Sequence, residues 1–170
     1  IIREFTEQAI QVYLGLKDNP EKILRDLFGD TQFYFIIGAP RTGGTYLLSE
    51  LMKIQGEDLT SYHINMTSDY LPRGDFLTRW QDDERKDPLY FELAQWLLWA
   101  HRELSHLDYV PKKNIHFPHA LPLLDQLFGD RVTYIVTNRH PGEIAESFAG
   151  FEDLEARGTE VNHPGIQRIV

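Results

Sequence analysis

Two stretches of the chain, residues 33–37 and 132–137, are rich in β-branched and aromatic residues with few or no breaks. The first run is typical of a strand that is buried on both faces of a sheet, and the second also has the composition of a strand. Residues 109–115 form a weaker run of the same kind, and residues 59–64 are a further strand candidate. The pattern therefore predicts three strands and offers a fourth candidate.

Between these runs, apolar residues recur at intervals of three and four, which is the spacing of an amphipathic helix. Asn19-Pro20 separates the first two helices, Gly29 ends the second, and Pro141 lies in the first turn of the last. One stretch, residues 88–107, is apolar almost all round, which predicts a largely buried helix. The predicted helices are residues 5–14, 21–28, 46–54, 88–107, 118–128 and 141–151.

Strands that alternate with helices indicate an α/β fold, with a parallel β-sheet flanked by helices and right-handed connections. In such sheets, ligands bind beyond the carboxyl ends of the strands. We expect residues 1–170 to form a single domain. No initiator methionine opens the chain, so we also expect it to be a segment of a longer protein.

Composition narrows the classes of function. The chain has no cysteine, which excludes disulfides and cysteine nucleophiles. Its net charge of −9 disfavours binding to nucleic acid or to anionic membranes, since both require a basic surface. No apolar run approaches the ~20 residues that span a bilayer, and the first residues lack the features of a signal peptide. We expect a cytoplasmic protein that holds an anionic ligand by a local cluster; the oligomeric state is not indicated.

A glycine-rich loop directly follows the first strong strand. It reads Gly38-Ala39-Pro40-Arg41-Thr42-Gly43-Gly44-Thr45. Glycines allow backbone N–H groups to turn toward a phosphate, the threonines add hydroxyl donors, and a helix N-terminus follows. The spacing matches the phosphate-loop pattern G-x-x-x-x-G-K-[ST], except that Gly44 replaces the lysine. The loop therefore predicts phosphate binding, whereas ordinary ATP or GTP hydrolysis is disfavoured. The alternative is a strand-to-helix turn without a ligand.

Residues 40–46 resemble the loop of sulfotransferases that use 3′-phosphoadenosine 5′-phosphosulfate (PAPS), written P-[KR]-[ST]-G-[TS]-[TS]-[WL]. The resemblance implies a phosphate-loop NTPase-like sulfotransferase fold. It also implies that the loop, including Thr42, Gly43, Gly44 and Thr45, grips the 5′-phosphosulfate. Arg41 would contact the oxygen that bridges phosphorus and sulfur. Tyr46 would stack on the adenine.

A second motif follows the last strand. Arg139, Pro141, Glu143 and Ser147 resemble the family signature R-[DN]-P-x-[DE]-x-x-x-S, with His140 in place of the usual Asp or Asn. The resemblance implies that Arg139 and Ser147 bind the 3′-phosphate. Taken alone, a strand-end arginine is more often solvated or ion-paired. No aspartate ends this strand to hold Mg²⁺, and the family's sulfuryl transfer needs no metal.

Sulfuryl transfer to a hydroxyl requires a general base and a cation near the bridging oxygen. Residues 112–118 (KKNIHFP) resemble the family's K-x-H-x-P or K-x-P-x-H strand end, which implies His116 as base and Lys113 as the assisting cation. His116 could instead cap the next helix or lie on the surface. His119 is a rival base, and Glu57 and His63 are weaker ones.

Aromatic residues between Phe76 and Trp99 either line an acceptor pocket or belong to the core, which helical spacing favours. The charged residues 82–86 suggest a solvated loop. We therefore expect a sulfotransferase that uses PAPS and a hydroxyl acceptor: a glycan, phenol, lipid, peptide tyrosine or polyketide. The alternatives are a nucleotide-kinase-like phosphotransferase and a non-catalytic protein that binds adenine nucleotides.

Overall fold

The computed structural model describes residues 2–62, 66, 83–114 and 117–156. The α-helices are α1 (Ile2–Asp18), α2 (Pro20–Phe28), α3 (Gly44–Ile54), α4 (Asp83–Leu104), α5 (Phe117–Phe128) and α6 (Pro141–Ala156). The strands are β1 (Gln32–Gly38), β2 (Tyr109–Lys113) and β3 (Val132–Thr137), and two 3₁₀ turns lie at Leu59–Ser61 and Gly129–Arg131.

The three strands form one parallel sheet with β1 in the centre, in the order β2-β1-β3. Phe33 pairs with Val110 of β2 and with Val132 of β3, and the last pair toward the carboxyl end joins Gly38 to Thr137. This confirms the predicted α/β class with a parallel sheet flanked by helices. Because the strands are parallel, the segments that follow them all begin at the same edge of the sheet.

The two faces of β1 pack against different helices because side chains alternate along a strand. Phe33 and Phe35 face α2, α4 and α5, where the ring of Phe33 lies 5.0 Å from those of both Phe28 and Phe128. Ile36, on the opposite face, packs beneath the start of α3. The loop after β1 therefore leads to a helix on the face opposite the aromatic core.

Aromatic residues supply much of that core. Trp96 of α4 is buried, with its ring 6.1 Å from that of Phe33 and 6.0 Å from that of Phe35. The described aromatic residues Tyr90 and Trp96 thus belong to the core, as their helical spacing favours, whereas Phe76 and Trp80 lie outside the described residues.

Two expectations about local structure are wrong. Residues 59–61 form a 3₁₀ turn rather than a strand, because the Asp58 carboxylate accepts hydrogen bonds from the backbone N–H and the hydroxyl of Thr60. Residues 83–86 are not a loop, since α4 begins at Asp83. Within the described part of the chain, no helix is both long enough and apolar enough to cross a bilayer.

Candidate anion-binding site

The glycine-rich loop joins the carboxyl end of β1 to the N-terminus of α3. Gly43, the N-cap residue, has a φ of +88°, a left-handed conformation that glycine adopts without strain. No side chain of the described residues caps this helix end. The first amides of an 11-residue helix are therefore left to water or to a ligand, and their dipole favours an anion.

Gly38 is required by close packing against β3. A Cβ atom at residue 38 would lie 2.4 Å from Oγ1 and 2.5 Å from the carbonyl oxygen of Thr137. The second of these atoms belongs to the backbone and cannot rotate away. Only glycine therefore lets the loop leave β1 this close to the end of β3.

The hydroxyl of Thr42 is engaged inside the loop. It donates to the carbonyl oxygen of Ala39 at 2.7 Å and lies 2.7 Å from Oγ1 of Thr137. Because a hydroxyl has a single proton, Thr42 can donate to Ala39 only while Thr137 donates to Thr42 rather than to the carbonyl oxygen of Ile37, which lies 3.3 Å from Oγ1 of Thr137. Thr42 thus shapes the loop, and the exposed Thr45 is better placed to donate to a ligand. Sequence reasoning missed Thr137, whose pairing with Gly38 becomes evident only once β1 and β3 are aligned.

Lys113, the last residue of β2, extends over the start of α3. A Cβ atom at Gly44 would lie 3.2 Å from Cγ and 3.7 Å from Cε of Lys113. The aliphatic part of the Lys113 side chain therefore lies beside the loop residue that replaces the usual phosphate-loop lysine. The structure thus brings the side chain of Lys113 and the glycine-rich loop together.

Arg41 contacts the segment that follows β3. Its Nε donates to Oγ of Ser147 at 2.8 Å, across 106 positions of sequence. Nη1 of Arg139 lies 3.5 Å from the carbonyl oxygen of Arg41, while Nε of Arg139 donates to Glu143 at 2.9 Å. The two motifs recognised in the sequence therefore meet at one place, and Arg139 also has the ion pair that a solvated strand-end arginine would make.

The two guanidinium groups affect each other electrostatically. The pKa of Arg41 is lowered from its ordinary value, first by partial burial and then by the like charge of Arg139. Two like charges held close together destabilise a protein unless an anion lies near both. The arrangement is therefore suited to a phosphate or sulfate group.

Tyr46 is in the first turn of α3 and is 72% exposed. Its ring is accessible to a flat ligand beside the loop. An adenine ring stacked on Tyr46 would lie next to the first backbone amides of α3. The exposure is compatible with the stacking role that the resemblance implies.

The candidate bases are described unevenly. His116 and His63 lie outside the described residues, and His119 is described only by its backbone in the first turn of α5. Both oxygens of Glu57 have partners: Nε2 of His106 at 2.8 Å and the hydroxyl of Tyr62 at 3.2 Å. The hydrogen bond from His106 is the main reason why the pKa of Glu57 is lowered, and a carboxylate with a lowered pKa is a weaker base.

Lys112, next to Lys113, points into the core. It is 3% exposed, and its Nζ lies 4.7 Å from the ring centroid of Trp96. Burial raises the pKa of Glu92 on α4 to about 7, although the charge of Lys112 acts in the opposite direction. Oε2 of Glu92 and Nε1 of Trp96 are buried, and neither has a hydrogen-bond partner among the described residues. The sequence analysis does not predict this cluster. Side chains alternate along a strand, so residues 112 and 113 face opposite sides of the sheet, and this was a signal that one of the two lysines points into the core.

The described residues contain no group of three or more histidine, aspartate or glutamate side chains that could hold a metal ion. Comparison with protein-family models, curated proteins and solved structures finds no match to this chain. Function is therefore inferred from the loop, from the residues that converge on it and from their electrostatics.

Proposed function

We propose that this chain is a sulfotransferase with the phosphate-loop NTPase-like sulfotransferase fold, which moves a sulfuryl group from PAPS to a hydroxyl acceptor. The observation that carries the proposal is the contact between the two motifs, Arg41 with Ser147 and Arg139 with the carbonyl of Arg41. The loop and Arg139 are nearly 100 residues apart in the sequence. An adenosine compound with an anionic group at each end requires an anion-binding group from both segments.

The residues at the loop fit such a donor. Uncapped amides at Gly44 and Thr45 would hold the 5′ end, and the exposed ring of Tyr46 would support the adenine. Arg139 and Ser147 would hold the 3′-phosphate. When bound, PAPS supplies the sulfuryl group that the hydroxyl oxygen of the acceptor takes over.

The protein's own groups would manage charge and protons. The ammonium of Lys113 beside Gly44 would stabilise the negative charge that builds up on the 5′-phosphate side. His116, which follows β2 by three positions in the sequence, is proposed as the base that removes the proton of the acceptor hydroxyl. A small-molecule or glycan hydroxyl is the proposed acceptor.

Ligand-induced stabilisation tests this proposal. Adenosine 3′,5′-bisphosphate, the desulfated form of the donor, should raise the thermal midpoint more than ADP does. The shift reports affinity, since a ligand at 100 times its Kd stabilises the folded state by about 2.7 kcal/mol. Arg139→Ala should remove the preference. Arg25→Ala is the matched control, since Arg25 is an exposed arginine paired with Glu21 on α2, a helix that precedes β1. Equal midpoints with the bisphosphate and ADP would refute the proposal.

A nucleotide-kinase-like phosphotransferase is the second candidate. Lys113 favours it, because its side chain runs beside Gly44, the residue at the lysine position of the phosphate-loop pattern. A larger midpoint shift with ATP and Mg²⁺ than with the bisphosphate, together with ATP turnover, would select this candidate. Selective binding of the bisphosphate without transfer to any acceptor would instead indicate a non-catalytic nucleotide-binding protein.

A further inference from the structure

A pair of threonine hydroxyls joins the glycine-rich loop to the end of β3. Oγ1 of Thr42 lies 2.7 Å from Oγ1 of Thr137, the last residue of that strand. We propose that Thr137 is a positioning residue for the loop: its hydroxyl holds Thr42, and thereby holds the backbone amides that would bind the 5′-phosphate of the donor. The inference rests on the proposed function, and it adds a residue that neither sequence motif contains.

The backbone of the loop has the alternating pattern of an anion-binding concavity. Arg41 has a φ of +68° and Gly43 a φ of +88°, whereas the φ of Thr42 between them is not positive. Such alternation turns neighbouring backbone N–H groups toward the same side. Glycine adopts a positive φ freely, but a residue with a Cβ loses stability there. Other interactions must therefore hold the loop in this shape at Arg41.

The side chain of Thr42 supplies one of these interactions. Its hydroxyl donates to the carbonyl oxygen of Ala39 at 2.7 Å, and this bond closes a turn over residues 40–41. Thr42 has one proton to give, so the turn is closed only while Thr137 donates to Thr42. The other acceptor within reach of the Thr137 hydroxyl is the carbonyl oxygen of Ile37, 3.3 Å away. If Thr137 donated there, the bond between the two hydroxyls would use the proton of Thr42, and Ala39 would be released.

The absence of a side chain at Gly38 leaves room for the hydroxyl pair. A Cβ atom at residue 38 would lie 2.4 Å from Oγ1 of Thr137 and 3.1 Å from Oγ1 of Thr42. Thr137 is paired with Gly38 in the sheet, so the register of β3 against β1 fixes its hydroxyl at this place. Both threonines are half-buried. The hydroxyl pair is therefore built into the sheet rather than formed by two mobile surface side chains.

The closed turn is the form that presents the loop amides to a ligand. The hydroxyl pair stabilises this form, and the apparent affinity for an anion rises with the fraction of molecules that adopt it. The 5′ end of the donor would therefore bind more weakly without the hydroxyl of residue 137. Arg139 and Ser147, which would bind the 3′-phosphate, follow β3 rather than β1, so the affinity for that group should change little.

Calorimetric titration with adenosine 5′-monophosphate and with adenosine 3′-monophosphate tests the inference. Thr137→Val keeps the shape of the side chain but removes its donor. It should weaken the 5′-monophosphate about 3- to 10-fold, the range that one hydrogen bond between neutral groups contributes, and the 3′-monophosphate less than about 2-fold. Thr137→Ser, which restores the hydroxyl, should bind both ligands within about 2-fold of the wild type. Thr133→Val, the same change at an exposed residue of β3, should affect neither ligand.

Two results would overturn the inference. If Thr137→Val weakens both monophosphates equally, or lowers the free energy of unfolding and leaves both affinities unchanged, Thr137 supports the fold in general and not the loop. If Thr137→Ser loses as much affinity for the 5′-monophosphate as Thr137→Val does, the methyl group rather than the hydroxyl is responsible.

The proposed function is judged separately, by the preference of the wild type for adenosine 3′,5′-bisphosphate over ADP. If that preference is present and Thr137→Val weakens both monophosphates equally, the inference fails while the function stands. If the preference is absent and Thr137→Val weakens the 5′-monophosphate alone, the function fails while the role of Thr137 at the loop stands. If the wild type binds neither monophosphate, both fail.

Discussion

The side chain of Lys113 occupies the space beside Gly44 where β2 meets α3, with Cγ of Lys113 3.2 Å from the position that a Cβ atom at Gly44 would occupy. Gly44 is buried although it opens a helix at the edge of the sheet. The residue that departs from the phosphate-loop pattern is therefore the one that makes room for a lysine from another strand.

Restoring the missing lysine should destabilise the protein. Gly44→Lys places a long cationic side chain against Lys113, and overpacking typically costs about 1–3 kcal/mol of unfolding free energy. Urea denaturation measures this loss. The double variant Gly44→Lys/Lys113→Ala should recover part of it, because the two side chains compete for the same space. A single variant as stable as the wild type would show that the contact does not constrain residue 44.

Gly38→Ala should cost about 2 kcal/mol or more of unfolding free energy, because its Cβ would lie 2.5 Å from the carbonyl oxygen of Thr137. Gly129→Ala is the control: its φ is +49°, but nothing lies within 4 Å of its Cβ position. It should lose only the roughly 1–2 kcal/mol of a left-handed backbone. Similar losses in both variants, measured by chemical denaturation, would argue against a steric role for residue 38.

The Thr42–Thr137 hydrogen bond should stabilise the loop. Thr42→Val removes the hydroxyl shared by Ala39 and Thr137 and should cost about 1 kcal/mol. Thr42→Val/Thr137→Val should cost less than the sum of the single changes, since each single change already breaks the bond. Thr133→Val, an exposed change on the same strand, should be close to neutral. Strict additivity in the thermal unfolding data would contradict the coupling.

Glu92 should make stability depend on pH. Its pKa is raised from 4.5 to about 7 mainly by burial, so the folded state binds this proton more tightly than the unfolded chain. The free energy of unfolding should therefore fall as the pH rises from about 4.5 to about 7 and should not recover this contribution at higher pH. Glu92→Gln should be more stable than the wild type at pH 8, by about 1–2 kcal/mol. This range is below the full conversion of about 1.4 kcal/mol per pKa unit because the group is partly solvated.

Two results would bear on this explanation. The advantage of Glu92→Gln should shrink as the pH falls toward 4.5 and disappear below it, where the carboxyl group is protonated in both states. Glu103→Gln, a change at an exposed carboxylate of the same helix, should not reproduce the pattern. Parallel pH profiles for the wild type and Glu92→Gln would show that Glu92 does not titrate in this range.

The sequence predicted the sheet well because residues 33–37 and 132–137 each form an uninterrupted run of strand-favouring residues, although only β1 is largely buried. β3 has the predicted bounds, residues 132–137, and β1 extends the predicted strand by one residue at each end. The prediction failed at residues 59–61, where the side chain of Asp58 bonds the backbone locally. Such bonds compete with strand formation and leave no trace in the hydrophobic pattern.

For the site, motif spacing indicated that the loop and the segment after β3 would approach each other. It did not indicate which atoms would meet. The bond from Arg41 to Ser147 depends on the left-handed backbone at residue 41, and the position of Lys113 depends on the register between β1 and β2. Both are properties of the assembled sheet rather than of either motif.

The conformation of Arg41 implies a trade-off between folding and binding. Glycine adopts a φ of +68° freely, whereas alanine does not, so R41G should unfold at a higher denaturant concentration than R41A. Neither variant has a guanidinium group, so both should lose affinity for the bisphosphate to the same degree. A protein selected for stability alone would have glycine at position 41. The arginine found there lowers the free energy of unfolding and keeps one positive charge at this place.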